Sequence, residues 1–162
     1  MPLNTTLKSL DDMAQLLLAR GETLSAAESC TSGLICAALT SLPGSSGWFK
    51  GGIIAYADEI KTALLGVPEE LIAAHGAVSE AVALAMAGGA CAALRTSHSL
   101  AVTGIAGPDG GTLEKPVGTV WLAWSVAGRL FAEQRLFTGH RAEIRSLAAQ
   151  RALTGLLERL SD

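Results

Sequence analysis

Apolar residues recur at helical spacing from the start of the chain. Leu7, Leu10, Met13, Leu16 and Leu17 share one face and give out at Gly21, which predicts an opening amphipathic helix. The period then shortens. Residues 23–27 read as a short strand running into Glu28, Ser29, Cys30, Thr31, Ser32 and Gly33, and LICAALTSL follows as a helix stopped by Pro43 and Gly44. Ser29 thus falls on a strand-to-helix turn. PGSSGWFKGG has the Gly, Ser and Pro content of a loop, and IIAYA after it is an apolar run with the β-branched pair of a buried strand.

Asp58 is placed to cap the next helix, EIKTALL, which ends at Gly66, and Pro68 opens a further short helix ending at Gly76. Ser79 is an N-cap for residues 80–95, where small apolar residues continue through Gly88 and Gly89 and predict a helix lying close against a neighbour. Residues 99–103 form a strand entering a Gly- and Pro-rich loop, GIAGPDGGTLEKPVG, of a length that in a compact domain carries function or is disordered. GTVWLAWSVAG and RLFAEQRLF alternate around Gly128 as a β-hairpin, and Ile144, Leu147, Leu153, Leu156, Leu157 and Leu160 mark a closing helix. Strands separated by helices, then a hairpin, predict an α/β fold: a mixed, mostly parallel sheet with helices on both faces, in one domain spanning 1–162. In such a sheet, ligands collect beyond the carboxyl ends of the strands. ESCTSG and TGIAGP both leave strands at those ends.

Composition narrows the classes. A chain of 162 residues can bury a full core without staples, and no apolar run approaches the roughly 20 residues that span a bilayer. The opening MPLNTTLKSLDD lacks the charged and apolar blocks of a signal peptide, so a cytoplasmic protein is expected. Cys30, Cys36 and Cys91 follow no metal or redox spacing and read as free thiols, while His75, His98 and His140 are too scattered to ligate a metal together. No metal or other cofactor is expected. A net charge of −3 without a basic stripe offers no footprint for nucleic acid.

Ser29 presents two readings: a helix cap, or a nucleophile with backbone donors nearby. A nucleophile needs a base. No histidine stands near a suitable acid, whereas a lysine withdrawn from water can take a proton, and only Lys8, Lys50, Lys61 and Lys115 are present. Lys61 follows an apolar strand shortly after Tyr56, which could relay a proton, although a lysine on a short helix is ordinarily a solvated charge. Cys30 is the rival nucleophile, since a thiol at a helix start can ionise readily. Gly104, Gly107, Gly110 and Gly111 would let backbone amides approach an anion, and Arg141 with Arg145 could clamp a phosphate or face solvent. Glu28 either orients the base or is an ordinary polar residue.

AESCTSG, PGSSGWF, GGIIAYADEIK, LLGV, HGAVSEAV, TGIAGPDGG and EKPVGTV, in this order over residues 26–119, resemble the CinA C-terminal domain family, the nicotinamide-nucleotide amidases, with a weaker echo in GHR at 139–141. The resemblance implies a three-layer α/β/α fold, a homodimer, and metal-free hydrolysis of nicotinamide mononucleotide to nicotinic acid mononucleotide and ammonia. Carried over by motif, it makes Ser29, Tyr56 and Lys61 catalytic. It places Thr103, Gly104 and Gly107 in the nucleotide site and adds Ser45, Ser46 and Arg145; in the mechanism expected from the turn itself, backbone donors around Thr31 to Gly33 hold the oxyanion, with Thr31 and Gly33 among the substrate-binding residues. The chain departs from the family's usual motifs at Ser32, Ala57, Asp58 and His140. A non-catalytic nucleotide-binding or regulatory module of the same fold is the competing expectation.

Overall fold

The computed structural model describes residues 7–162. Helix α1 (Leu7–Arg20) precedes β1 (Leu24–Glu28), α2 (Leu34–Thr40), a 3₁₀ turn (Ser45–Gly47), β2 (Phe49–Ile54), α3 (Asp58–Leu65), α4 (Glu69–His75) and α5 (Glu80–Leu94). Strands β3 (His98–Gly104), β4 (Thr119–Val126) and β5 (Arg129–Leu136) and helix α6 (Arg141–Ser161) complete the chain. The strands form one sheet in the order β2-β1-β3-β4-β5. The β1–β2 and β1–β3 pairs are parallel and the β3–β4 and β4–β5 pairs antiparallel, so the sheet is mixed and has helices on both faces, as expected.

The two faces are built from side chains of different size. Leu24, Leu100, Val102, Val120, Leu122 and Trp124 pack against α1, α2 and α6. Trp124 is held there on three sides. Its indole Nε1 donates to the Ala152 carbonyl at 2.8 Å, the Arg159 guanidinium lies 3.8 Å above its ring, and a Cβ on Gly155 would come within 2.4 Å of it. The other face offers Ala27, Ala101 and Ala123, and α5 comes down close enough for the Ser99 hydroxyl to donate to the Ala87 carbonyl at 2.6 Å. Gly89 answers the close approach read from its sequence, because a Cβ there would sit 1.9 Å from the Leu65 carbonyl oxygen. Gly88 meets nothing within 4 Å, and no contact explains it.

Three expectations need correction. β2 begins in the segment read as loop: Phe49 pairs with Leu24 and Gly52 with Ala26, and the strand ends at Ile54 rather than covering IIAYA. Its glycine is needed for packing, since a Cβ at Gly52 would stand 2.2 Å from Cys36 Sγ on α2. Asp58 lies within the first turn of α3 and does not cap it; Ala57 holds the N-cap position without a side-chain bond. The turn before α2 is capped by neither Ser29 nor Thr31, as set out below. The hairpin expected around Gly128 is present and tight, with Ala127 at φ 49° and Gly128 at φ 80° giving the two positive angles of a two-residue turn whose twist suits the strands. Among the described residues no helix is long and apolar enough to cross a membrane.

Candidate active site

β1 is flanked by β2 and β3 in parallel, so all three deliver their carboxyl ends to one edge of the sheet. Ser29 follows β1, Tyr56 follows β2, and the glycine loop follows β3. Together with the start of α6 they enclose a cleft of about 190 Å³ lined by Ser29, Cys30, Tyr56, Asp58, Lys61, Ala77, Val78, Thr103, Gly104, Ala106 and Arg141. The two strands that ESCTSG and TGIAGP leave, β1 and β3, are thus neighbours.

The Ser29 turn is closed by its own backbone. The Ser29 amide donates to the Val102 carbonyl at 3.0 Å, carrying the β1–β3 pairing one residue past the strand, and the Ser32 amide donates to the Ser29 carbonyl at 3.1 Å. Ser32 takes φ 46°, a left-handed conformation that costs a non-glycine residue about 1 kcal/mol. Its side chain is exposed and does not line the cleft, so the extra hydroxyl stays out of the site. Glu28 points beneath the turn and is wholly buried. One carboxylate oxygen accepts from the Gly33 and Ile35 amides at 2.9 and 3.2 Å, and the other accepts from the Cys36 amide at 2.9 Å. A carboxylate from the preceding strand thus does the capping usually given to Ser or Thr, in the place where the helix dipole favours negative charge. Glu28 does not orient Lys61. On the other side, Arg145 donates from Nε to the Cys30 carbonyl at 2.9 Å and from an Nη to the Thr31 carbonyl at 3.1 Å.

Lys61 is almost fully buried and still reaches the cleft. Its Nζ donates to the Tyr56 carbonyl at 3.0 Å and faces the Asp58 carboxylate at 3.4 Å. A buried amine lining the same cleft as a serine is a much narrower finding than a lysine on a short helix. Tyr56 is 59% exposed, and its hydroxyl accepts from Arg141 at 3.2 Å, while the same guanidinium donates to the Gly107 carbonyl at 2.8 Å. Arg141 therefore ties the tyrosine to the glycine loop. Thr103 is buried and spends its hydroxyl proton on the Ala77 carbonyl at 2.9 Å. Burial, above all, holds the Cys30 thiol up at about 11, which disfavours the nucleophilic thiolate at neutral pH.

Ser29, Tyr56, Lys61, Thr103 and Gly104 meet in this one cleft. The Thr31 side chain and carbonyl, Gly33, Gly107 and Arg145 sit one layer back, shaping the turn and the loop. Ser45 and Ser46 lie before β2, at the amino end of the strands and across the sheet from Ser29. Ala77 and Val78 line the cleft without any chemical signature that could have singled them out. Among the described residues no three His, Cys, Asp or Glu side chains converge as a metal would require.

A serine and a buried lysine at the carboxyl edge of a mixed α/β/α sheet define a class of compact site suited to acyl transfer. The CinA C-terminal domain model matches residues 7–160, and the chain belongs to that family. It is 46% identical over 147 residues to the nicotinamide-nucleotide amidohydrolase PncC of Escherichia coli K12, covering 90% of this chain and 89% of that protein. It is 56% identical over 150 residues to a CinA-like protein of Gemmatimonas aurantiaca, where the match covers 90% of this chain but only 35% of the longer relative. The crystal structure of the competence damage-inducible protein A from Klebsiella pneumoniae subsp. pneumoniae MGH 78578 superposes with a TM-score of 0.93 at 37% identity, covering 98% of each chain.

Proposed function

We propose that residues 1–162 act as one amidase domain that hydrolyses nicotinamide mononucleotide to nicotinic acid mononucleotide and ammonia, with Ser29 as nucleophile and Lys61, directly or through Tyr56, as base. The observation that carries this reading is the buried Lys61 amine facing the same cleft as Ser29. The name of the Escherichia coli relative, a nicotinamide-nucleotide amidohydrolase, supports the substrate. Ser29 Oγ attacks the carboxamide carbon as its proton passes to Lys61, and backbone donors hold the oxyanion. The C–N bond then breaks, and ammonia leaves with that proton. Water, deprotonated by the same base, cleaves the acyl-serine ester to release the acid and restore the hydroxyl. Thr103 and Gly104 are the residues best placed to touch the nucleotide. A cytoplasmic homodimer without a nucleic-acid partner belongs to the same proposal, supported by the free cysteines, the family resemblance and the acidic net charge of −3.

The test is ammonia release from nicotinamide mononucleotide. Ser29→Ala is expected to lose at least about a thousandfold in kcat with its thermal midpoint unchanged, and near-normal turnover in that variant would overturn the mechanism. Cys30→Ala should keep most of the activity, because its thiol is protonated and buried. Nucleotide binding by the wild type without ammonia would mark a non-catalytic module instead.

A further inference from the structure

We infer that Arg145 is a positioning residue that fixes the Thr31 amide and braces the turn presenting the Cys30 amide, the donors offered to the oxyanion, and is not a ligand for the substrate's phosphate; this rests on the amidase reading above. The assignment follows from accounting for every amide in the turn. Ser29 donates to Val102, Ser32 to the Ser29 carbonyl and Leu34 to the Thr31 carbonyl, while Gly33, Ile35 and Cys36 donate to Glu28. The first amides of α2 are therefore spent on an internal carboxylate. Among the described residues, the Cys30 and Thr31 amides are the two in this stretch that donate to no carbonyl or carboxylate. The Thr31 hydroxyl is also buried without a partner. Backbone donors not committed to the turn, beside a cleft-lining serine, are available to a developing anion.

Peptide planarity links those free donors to Arg145. In a trans peptide the N–H points opposite to the C=O of the same plane. The Ser29 carbonyl is held by Ser32, which fixes the direction of the Cys30 N–H. The Cys30 carbonyl is held by Arg145 Nε, which fixes the direction of the Thr31 N–H. Arg145 thus grips the far side of the peptide whose near side is free, and its charge polarises that peptide toward stronger donation. The guanidinium commits Nε and one Nη to carbonyls of the turn and does not line the cleft. Arg141 does line it, one helical turn earlier.

Two kinetic series and one labelling reaction test the assignment. Arg145→Lys and Arg145→Met should lower kcat for ammonia release by about a hundredfold, the scale of losing oxyanion donors, with KM within about twofold of the wild type. The fall should be equal for nicotinamide mononucleotide and for its riboside, which lacks the phosphate. A rise in KM confined to the phosphorylated substrate, or an unchanged kcat, overturns the inference. Arg145→Ala should regain part of its kcat in millimolar guanidinium, a rescue that a residue needed only for folding would not give; failure of that rescue in a variant with a wild-type circular dichroism spectrum counts against the inference. Capture of Ser29 by a phosphonofluoridate, followed by mass spectrometry, also needs the donors but not the proposed substrate. Capture about a hundredfold slower in Arg145→Met supports the positioning role, even if nicotinamide mononucleotide proves not to be the substrate. Equal rates in the two proteins, or no capture in the wild type, overturn it.

Discussion

The Ser29 turn and the Tyr56–Arg141 wall face one another across a single cleft, yet they are secured by different physics. The turn is held from inside, by a carboxylate with no exposure that accepts from Gly33, Ile35 and Cys36. The wall is held from outside, by an exposed guanidinium bonded to an exposed phenol and a loop carbonyl. Removing one partner of a buried charged group leaves the others without water, whereas solvent replaces an exposed partner at little cost. The nucleophile is accordingly locked into the fold, and the tyrosine is fastened on top of it.

Three further experiments can break or sharpen that contrast. Glu28→Ala strands the amides at the start of α2 and is expected to cost about 3 kcal/mol or more in urea unfolding; a loss below about 1 kcal/mol would mean the cap is dispensable. The Glu133–Arg151 pair joining β5 to α6 is intermediate, with both side chains 20% exposed. The hydrogen bond from Arg151 holds the Glu133 carboxyl down at about 2, against an ordinary 4.5. Because the folded value is the lower one, its stabilisation is complete above about 4.5 and disappears as the pH falls toward 2. The melting temperature should drop through that window, and Glu133→Gln should flatten the drop by about 1 kcal/mol after allowance for solvent screening. Arg141→Met should change stability least, by under about 0.5 kcal/mol, while lowering the rate of ammonia release about tenfold. A large loss of stability with normal turnover would place Arg141 in the fold instead of the site.

Much of the scaffold was legible in the sequence because its signals are local. The periodicity of α1 and α6, the alternation around Gly128 and the close packing read from Gly89 depend on residues a few positions apart. Tyr56 and Lys61 were legible as a pair for the same reason. Other features depend on contacts that no window spans. Arg145 reaches carbonyls more than a hundred positions away, and β2 extends through Gly51 and Gly52 because β1 and Cys36 lie against it. Glu28 was within sight and was still misjudged, since its partners lie around a turn whose shape had to be known first. Ser45 and Ser46 came from motif resemblance alone, and the parallel register of β2 carries them to the far end of the strands.

The enclosure of Trp124 between α6 and the sheet has a spectroscopic consequence. Trp48 is as deeply buried, Trp121 packs beneath α5, and none of the three indoles lines the cleft. The chain holds a single tyrosine, and it is the one in the cleft. Excitation selective for tryptophan will therefore follow the unfolding of the core. The lone phenol absorbs beneath those three indoles, so occupancy of the cleft needs a reporter other than tyrosine absorbance.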